Sequence, residues 1–361
     1  MKHSTTPRSR LVRSLAAGVG GALIVATPAL TQPASAAVVK DLNGPRGITF
    51  SKGRLIVAEA DGTFSKVNRR TGKVRQLGKV PAEGIAPALA ATGRNHLFVL
   101  TPGGEGPGAA TLYRYSFKKD RKVKVADIGR YQKKDPDPFD LEDAPRTSNP
   151  FAVAALPGGG ALVADAEGNE LLKVGPRGKI TTVARIKPRT VESPDLGPEG
   201  PPAGTPMPSE GVATSVAVGS DGYWYVGELR GFPATPGTSQ IWRIKPGSKN
   251  AVCRPGRPNK GACKRHADGF TSIVGMSAGP RGSLYVVSLA KRSWLAAESG
   301  DPAAMKGAVY KLNRNGEDRH QLKRGKWTLP GGVDTDRSGR VYVTNMSVGF
   351  FGTPGTVARA K

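Results

Sequence analysis

The sequence predicts an all-β protein, a six-bladed β-propeller of four-stranded antiparallel blades. Three observations lead to this prediction. A short apolar run of strand character recurs six times, at intervals of 42 to 64 residues. Each run follows a segment of small residues and a tight turn, usually with glycine, and helical periodicity is almost absent. Repeats of about 40–50 residues or more that build antiparallel sheets are typical of propellers.

The recurring run is the second strand of each unit, strand B when strands A to D are counted outward from the ring axis. Its copies lie at residues 55–59, 97–101, 161–165, 224–228, 284–288 and 341–345. Strand A is expected at residues 45–50, 84–91, 149–156, 212–219, 273–279 and 330–335. These inner segments are rich in Ala, Gly, Val and Ser, which suits strands crowded around an axis. Most copies continue with a third strand, a hairpin turn and a fourth strand.

The sixth unit is incomplete, because the chain has no room for a fourth strand after residues 356–359. A stretch of strand character at residues 38–42 is unpaired at the other end. We expect it to become the outermost strand of blade six and close the ring, because closure removes exposed sheet edges. Residues 37–361 are therefore predicted to form a single domain.

Residues 1–36 have the pattern of a secretory signal peptide. The basic residues of this segment are Lys2, Arg8, Arg10 and Arg13. An apolar stretch of small residues follows, and an Ala-Ser-Ala cleavage pattern ends at Ala36. We expect cleavage after Ala36 and secretion of the remaining chain, with an uncleaved membrane anchor as the alternative. No later stretch approaches the length of a transmembrane segment.

The formal net charge of +26 favours anionic partners. Acidic wall polymers, anionic polysaccharides, lipid headgroups and nucleic acids all meet this criterion. The basic clusters lie at residues 66–75, 118–124, 254–265 and 319–326. They fall on C–D hairpins and outer strands, so they indicate either attachment to an anionic envelope polymer or ordinary solvated charge. Specific nucleic-acid binding is disfavoured because the clusters lack interleaved aromatic residues. We expect a monomer.

The two cysteines, Cys253 and Cys263, are close together in the sequence. A local disulfide is the expected state in an exported chain. His266 is the nearest additional candidate for a zinc site, and two thiols with one imidazole do not complete such a site.

Several motifs make the chain similar to a known family. They are NGPRG at 43–47, SNPF at 148–151, DAEGNELL at 165–172, TSVAV at 214–218, GELRGFP at 227–233, IWRI at 241–244 and PGGV at 330–333. With these motifs the chain resembles the ScyD/ScyE family of secreted bacterial six-bladed propellers, related to the NHL and gluconolactonase-like propellers. The resemblance covers essentially all of residues 38–361. It implies an exported propeller, in a family with some members linked to extracellular pigment biosynthesis, and implies no established set of catalytic residues.

Propeller geometry places the long connections on one face, around the mouth of the axial channel. These are the B–C loops at 101–110, 229–239, 289–307 and 346–354 and the D–A loops at 132–148 and 187–210. Long loops on a rigid scaffold often carry binding residues. The candidate ligand-binding residues are Glu59, Asn149, Asp165, Asn169, Glu228, Arg230, Phe232 and Asn345. Glu210, at the start of a strand A, is expected at the same mouth.

Glu59, Asp165 and Glu228 are also candidate metal ligands, since a ring of carboxylates and amides suits Ca²⁺. Alternatively these side chains form a polar mouth and are hydrogen-bonded to neighbouring blade backbone. The same carboxylates could act as acid and base if they lie close together. The chain has no His-Glu-x-x-His motif, and its Gly-x-Ser-x-Gly pattern at residues 275–279 lies within a predicted strand A and not on a strand-to-helix elbow. This disfavours zinc-protease chemistry and nucleophilic catalysis.

Aromatic residues in the B–C loops are Phe232, Trp294, Phe350 and Phe351. They could contact a sugar ring or an aromatic metabolite, or they could cap the blades as small satellite cores. The sequence favours a secreted, non-enzymatic propeller that binds a ligand or partner over its long-loop face. The alternative is a metal-dependent hydrolase or lactonase-like enzyme that uses the carboxylate ring, with Ca²⁺ as its cofactor.

Overall fold

A computed structural model describes residues 37–82, 84–93, 95–349 and 352–361. Its principal strands form six antiparallel blades, each with four strands in A-to-D order, which confirms the six-bladed propeller. Residues 1–36, predicted to be a signal peptide, lie outside the described residues.

The first three blades follow the predicted repeat. Blade one has strands Ile48–Ser51, Arg54–Ala58, Thr63–Val67 and Val74–Lys79. Blade two has strands Ala88–Thr92, His96–Leu100, Thr111–Ser116 and Arg121–Asp127. Blade three has strands Pro150–Ala155, Ala161–Asp165, Glu170–Val174 and Ile180–Ile186.

The last three blades complete the ring. Blade four has strands Ala213–Val218, Trp224–Glu228, Ser239–Ile244 and Cys263–Phe270. Blade five has strands Ile273–Ala278, Leu284–Ser288, Ala308–Leu312 and Arg319–Leu322. Blade six has strands Val333–Thr335, Val341–Asn345, Gly355–Arg359 and Ala37–Leu42.

The N-terminal strand closes blade six, as the sequence predicts. Ala37–Leu42 runs antiparallel to Gly355–Arg359, with Val39 opposite Val357 and Leu42 opposite Gly355. Val39 and Leu42 are buried in a cluster shared by blades one and six. The closing strand therefore contributes to the core as well as completing the sheet.

Glycines lie immediately before two inner strands, where neighbouring blades approach each other closely. A Cβ atom at Gly47 would overlap the carbonyl oxygen of Pro87 in the connection to blade two. A Cβ at Gly332 would overlap the carbonyl oxygen of Arg46 in the same way. Larger side chains lie farther out, where Trp224 and Trp242 of blade four pack with Leu162 of blade three. Small residues at the axis and large ones between blades give the ring a rigid inner wall.

The predicted disulfide between Cys253 and Cys263 is present, with a Cα–Cα distance of 5.0 Å. The segment it closes differs from a simple hairpin. Ala251–Cys253 pairs in parallel with the outer strand Ile180–Ile186 of blade three, so that sheet has five strands. The C–D connection of blade four thus covers the edge of its neighbour, which protects unpaired backbone groups.

The long-loop face contains more regular structure than its Pro- and Gly-rich sequence indicates. A helix at Ile128–Gln132 is capped by Asp127, and another at Trp294–Glu298 is capped by Ser293. Strands Arg189–Glu192 and Pro206–Ser209 form an additional hairpin. The caps supply acceptors for backbone N–H groups that would otherwise lack partners, so these short elements form within connections expected to be irregular. In the described part of the chain, no helix is long and apolar enough to cross a membrane.

Candidate functional site

The axial pocket opens on the long-loop face, where the six inner strands begin. Every blade, at or just before its strand A, contributes to the lining: Arg46, Ile85, Phe151, Val212, Val274 and Gly331. The empty volume is about 1260 Å³, part of it open to solvent. The repeat itself therefore forms this pocket at the channel mouth, where the sequence places the candidate site.

The pocket wall is largely apolar. The apolar lining residues are Ile85, Phe151, Ala166, Val212, Leu229, Val274, Leu289, Trp294 and Val348. Trp294 is held in place, because its Nε1–H donates to the Arg230 carbonyl oxygen at 2.8 Å and its backbone N–H donates to Ser272 Oγ at 2.9 Å. A mostly apolar pocket with fixed walls and a few polar groups is typical of small-molecule sites.

Arg46 extends from blade one towards blades two and three. Its Nε and Nη2 donate to the Ala86 carbonyl oxygen at 2.9 and 2.5 Å, and its Nη1 donates to the Phe151 carbonyl oxygen at 2.5 Å. The guanidinium lies 4.1 Å from the centroid of the Phe151 ring. Burial lowers the pKa of Arg46 to about 9. Arg46 links three blades and carries the positive charge of the pocket lining.

Arg46 is not among the site residues predicted from the sequence, where it appears only within the NGPRG motif at 43–47. A signal was nevertheless present. Arg46 is a long basic residue at the start of strand A, a position where the other five units carry small or apolar residues. A cation at a crowded axis needs acceptors, and the carbonyl groups of the adjoining blades supply them.

Glu210 lies at the start of blade four and is 7% exposed. Its Oε1 accepts a hydrogen bond from the Leu141 backbone N–H at 2.7 Å. Burial, with smaller contributions from the charges of Glu142 and Asp140, raises the pKa of the Glu210 carboxyl to about 8, against the hydrogen bonds from Leu141 and Asn169. Glu210, Asp140, Glu142 and Glu167 form the acidic part of the lining.

Several predicted site residues accept hydrogen bonds from backbone N–H groups of their own blades. The backbone N–H of Asn43 donates to Glu59 Oε2 at 2.8 Å, and that of Asn149 donates to Asp165 Oδ1 at 2.8 Å. In blade six the end of strand B accepts in the same way: the Thr328 N–H donates to Asn345 Oδ1 at 2.8 Å. These three polar residues at the ends of strands B each hold the chain segment leading into strand A.

Asp165 and Asn169 also hold the third blade to its surroundings. Asp165 is fully buried, accepts from Ser148 Oγ at 2.5 Å, and burial raises its pKa to about 6. Asn169 donates to Asp137 Oδ2 at 2.9 Å and accepts from the Val212 N–H at 2.8 Å. Asn169 therefore links blade three both to blade four and to the loop that carries Asp137.

Glu228 and Arg230 form a fully buried ion pair behind the pocket wall. Glu228 also accepts from Trp242 Nε1 at 2.5 Å and from the Gln240 N–H at 3.0 Å. Burial raises the pKa of Glu228, whereas the Arg230 charge opposes that rise. Arg230 Nη1 donates in turn to the Glu210 carbonyl oxygen at 3.1 Å. The pair therefore fixes the backbone that carries Glu210.

The structure does not bring Glu59, Asp165 and Glu228 together as a ligand set. Across the described residues, no three His, Cys, Asp or Glu side chains form a group that could hold a metal ion. The hydrogen-bonded arrangement, which the sequence left as the alternative, is the one these three carboxylates adopt. The residues present therefore do not fit the Ca²⁺ site expected from the sequence.

The remaining candidates are divided between the pocket and its surroundings. Asn149 lines the pocket and accepts from the Gly103 N–H at 3.0 Å, and Trp294 forms part of the wall. Phe232 is half-buried and is not one of the described residues that line the pocket. Phe350 and Phe351 lie outside the described residues.

Comparisons with known proteins support the fold. A PQQ-bound aldose sugar dehydrogenase of Streptomyces coelicolor is 15% identical, with coverage of 89% of this chain and 95% of that chain and a TM-score of 0.54. A glucose dehydrogenase is 13% identical, with coverage of 91% and 99% and a TM-score of 0.57. A Bacteroides thetaiotaomicron protein of unknown function is 11% identical, with coverage of 91% and 71% and a TM-score of 0.54.

At such low sequence identities, the structural similarity shows a shared fold and nothing about activity. No protein-family model matches the chain, and no curated protein matches it in sequence. The six-bladed propeller implied by the family resemblance is confirmed, and membership of the ScyD/ScyE family stays a prediction.

Proposed function

We propose that the protein binds a small organic molecule in the axial pocket. The observation that carries the proposal is a pocket at the channel mouth that all six blades line and whose wall is largely apolar. Strands and capped loops fix the wall, so a ligand would meet a preformed surface and lose little free energy in ordering it. This function is the non-enzymatic binding role favoured by the sequence, now assigned to a defined cavity.

A pocket-blocking variant tests the proposal. Val348 lines the pocket and is half-buried, so Val348→Trp should fill part of the cavity without overpacking a closed core. Val74→Trp is the matched control, because Val74 is 44% exposed on the outer strand of blade one. A small-molecule library is screened by thermal shift against both variants and the wild type. Ligands that stabilise the wild type and Val74→Trp, but not Val348→Trp, support the proposal. Equal stabilisation of all three would refute it.

A second candidate function is hydrolysis with Glu210 as general acid or base. A carboxyl group whose pKa is raised to about 8 inside a pocket is suited to proton transfer near neutral pH. This candidate retains the hydrolase alternative while assigning its acid–base role to a residue outside the proposed metal set. Mass spectrometry of pocket ligands and lactone substrates incubated with the protein distinguishes the two. A product formed by the wild type but not by Glu210→Gln would favour the enzyme.

We further propose that the protein is a secreted member of the ScyD/ScyE family, processed after Ala36. The disulfide between Cys253 and Cys263 suits an oxidising compartment. Cleavage after Ala36 would leave the closing strand Ala37–Leu42 complete. Intact-mass measurement of protein from the culture medium should give a chain that begins at Ala37. Retention of residues 1–36 in the cell-bound protein would instead support the uncleaved anchor.

An anionic envelope polymer is the proposed macromolecular partner. The proposal is supported by the net charge of +26 and by the exposed Arg121, Lys122 and Lys124 side chains on the outer strand of blade two. Retention on isolated wall material should decrease as ionic strength rises, because salt screens exposed charges over about 10 Å at 0.1 M. Retention that is insensitive to salt would contradict this partner.

A further inference from the structure

The charge of the pocket lining is opposite to the charge of the whole chain. The net charge is +26, yet the charged lining residues are four carboxyl groups and one guanidinium: Asp140, Glu142, Glu167, Glu210 and Arg46. A strongly basic protein repels cations at long range. Selection of a cation would therefore have to arise within the pocket itself.

The guanidinium of Arg46 is already engaged by the scaffold. Three of its N–H groups donate to the carbonyl oxygens of Ala86 and Phe151, and one of its faces lies over the Phe151 ring. These contacts orient Arg46 between blades and stabilise its charge without a ligand. The charge of Arg46 is therefore already balanced by the scaffold and needs no ligand to pair with it.

Glu210 has no cationic partner in the described residues, and unlike Asp137 and Asp165, which are also buried without an ion pair, it lines the pocket. Glu228 pairs with Arg230, and the Arg185 guanidinium is 3.5 Å from Glu170. The ion pairs of the described residues do not include Glu210, whose Oε1 accepts one backbone N–H. A buried carboxylate without a counter-ion is costly, and a cation in contact with it would remove that cost.

The segment at residues 230–231 places Glu210 near the aromatic wall. The Arg230 carbonyl oxygen accepts from Trp294 Nε1, and the next N–H, that of Gly231, donates to the Glu210 carbonyl oxygen at 3.0 Å. Gly231 lines the pocket, and a Cβ there would approach Glu210 and Val212 at 3.4 Å. Because Gly231 has no side chain, the pocket stays open beside Glu210, next to the residue whose carbonyl oxygen binds the Trp294 indole.

We propose that the axial pocket selects an amphipathic organic cation, whose apolar or aromatic body lies against Trp294 and Leu289 and whose ammonium group pairs with Glu210. This inference deepens the proposed binding function and rests on it. Arg46 and the uncharged wall disfavour a polycation, so the fitting ligand is a monoamine with a ring-sized apolar part. Charge-assisted hydrogen bonding gives the amine its advantage over a neutral molecule of the same shape.

Three probes that share one ring system test the inference: naphthylethylamine, naphthylethanol and naphthylacetate. Isothermal titration of the wild type should give an affinity for the amine at least about tenfold higher than for the alcohol, with the carboxylate weakest. In Glu210→Gln, the amide oxygen can still accept from the Leu141 N–H, and the preference for the amine over the alcohol should disappear. Val348→Trp should weaken both, whereas Val74→Trp should weaken neither.

The titrations distinguish failure of the cation inference from failure of the pocket-binding proposal. Alcohol or carboxylate bound as tightly as the amine, or an amine preference that survives in Glu210→Gln, would overturn the cation inference and leave pocket binding standing. Binding of all three that is unchanged in Val348→Trp would count against the pocket itself. Failure of the amine to bind would also overturn the inference, and the library screen would then decide the pocket proposal.

A second measurement covers the possibility that Glu210→Gln folds poorly. The amine needs an ionised Glu210, so its binding to the wild type at pH 7 should release protons, seen as a titration enthalpy that depends on the buffer. The alcohol should release none. The titratable and charged groups around Glu210 are Asp140, Glu142 and Arg230. Equal proton release for both probes would contradict the assignment to Glu210.

Discussion

Replacing Glu210 by Gln should change how the stability of the protein depends on pH. The pKa of Glu210 rises from 4.5 to about 8 on folding, with burial as the largest cause. The folded state therefore keeps a proton that the unfolded state releases above pH 4.5, so this group makes the wild type less stable as pH rises through that interval. Each pH unit inside it corresponds to about 1.4 kcal/mol, which gives a penalty of about 3–5 kcal/mol by pH 8.

Urea unfolding of the wild type and Glu210→Gln at pH 5, 6, 7 and 8 measures the effect. Gln cannot titrate, so the variant should gain on the wild type progressively, by a few kcal/mol across the series. Other buried carboxyl groups, including Asp165, titrate in both proteins and cancel in the difference. Glu199→Gln, at an exposed position, is the charge-matched control. A difference between wild type and Glu210→Gln that stays constant with pH would refute the reasoning.

Three further predictions concern the scaffold. Deleting residues 37–42 removes the buried side chains of Val39 and Leu42, each worth about 1.5–3 kcal/mol of stability, and exposes a sheet edge. Circular dichroism should therefore show the whole propeller melting at a lower temperature. An unchanged melting temperature would contradict ring closure. Arg230→Met should lower the free energy of unfolding in urea by about 3–5 kcal/mol, because it leaves the buried Glu228 without its partner. The double variant Glu228→Gln/Arg230→Met should recover part of that loss. A double variant no more stable than Arg230→Met would argue against a stabilising role for the ion pair. The double variant Cys253→Ser/Cys263→Ser should lose about 2–3 kcal/mol of free energy of unfolding. Mass spectrometry should show that trypsin cleaves first in the segment between the two positions. Earlier cleavage elsewhere would mean that the disulfide does not hold this segment.

The fold is predictable from the sequence because the ring repeats one simple pattern. The alternating run at residues 213–218, the turn at 220–222 and the run at 224–228 specify a strand pair without reference to the rest of the chain. The strand at Ala37–Leu42 is predictable because an incomplete last unit and an unpaired first segment complement each other. The parallel strand Ala251–Cys253 is not predictable in this way, since its partner belongs to another blade and no local pattern marks the pairing.

The candidate site is harder to predict, because sequence gives residue types at the channel mouth without giving their partners. Glu59 and Asp165 are correctly placed at the ends of strands B, but each bonds to the backbone of its own blade. Arg46 was missed because its acceptors are carbonyl groups, which every residue carries. Glu210 was expected at the mouth, but its burial depends on the loop that carries Leu141.

The motif at residues 227–233 extends from the end of strand B of blade four into the B–C loop beside the pocket. Glu228 and Arg230 now have a structural reason, because they are a buried pair that holds the backbone behind the pocket. Gly231 lines the cavity beside Glu210, where a side chain would occupy part of the pocket. The segment therefore connects the stability of blade four to the shape of the candidate site.

Ring closure by the N-terminal strand also determines where a tether can be attached. Leu42 pairs with Gly355 at the pocket face, so Ala37 and Arg359 lie at the opposite ends of the same two strands, on the far face of the ring. An affinity tag, a fluorescent label or a surface linker joined before Ala37 or after Lys361 would leave from that far side. Immobilised through either end, the propeller would present its pocket outward, with the approach to the cavity unobstructed.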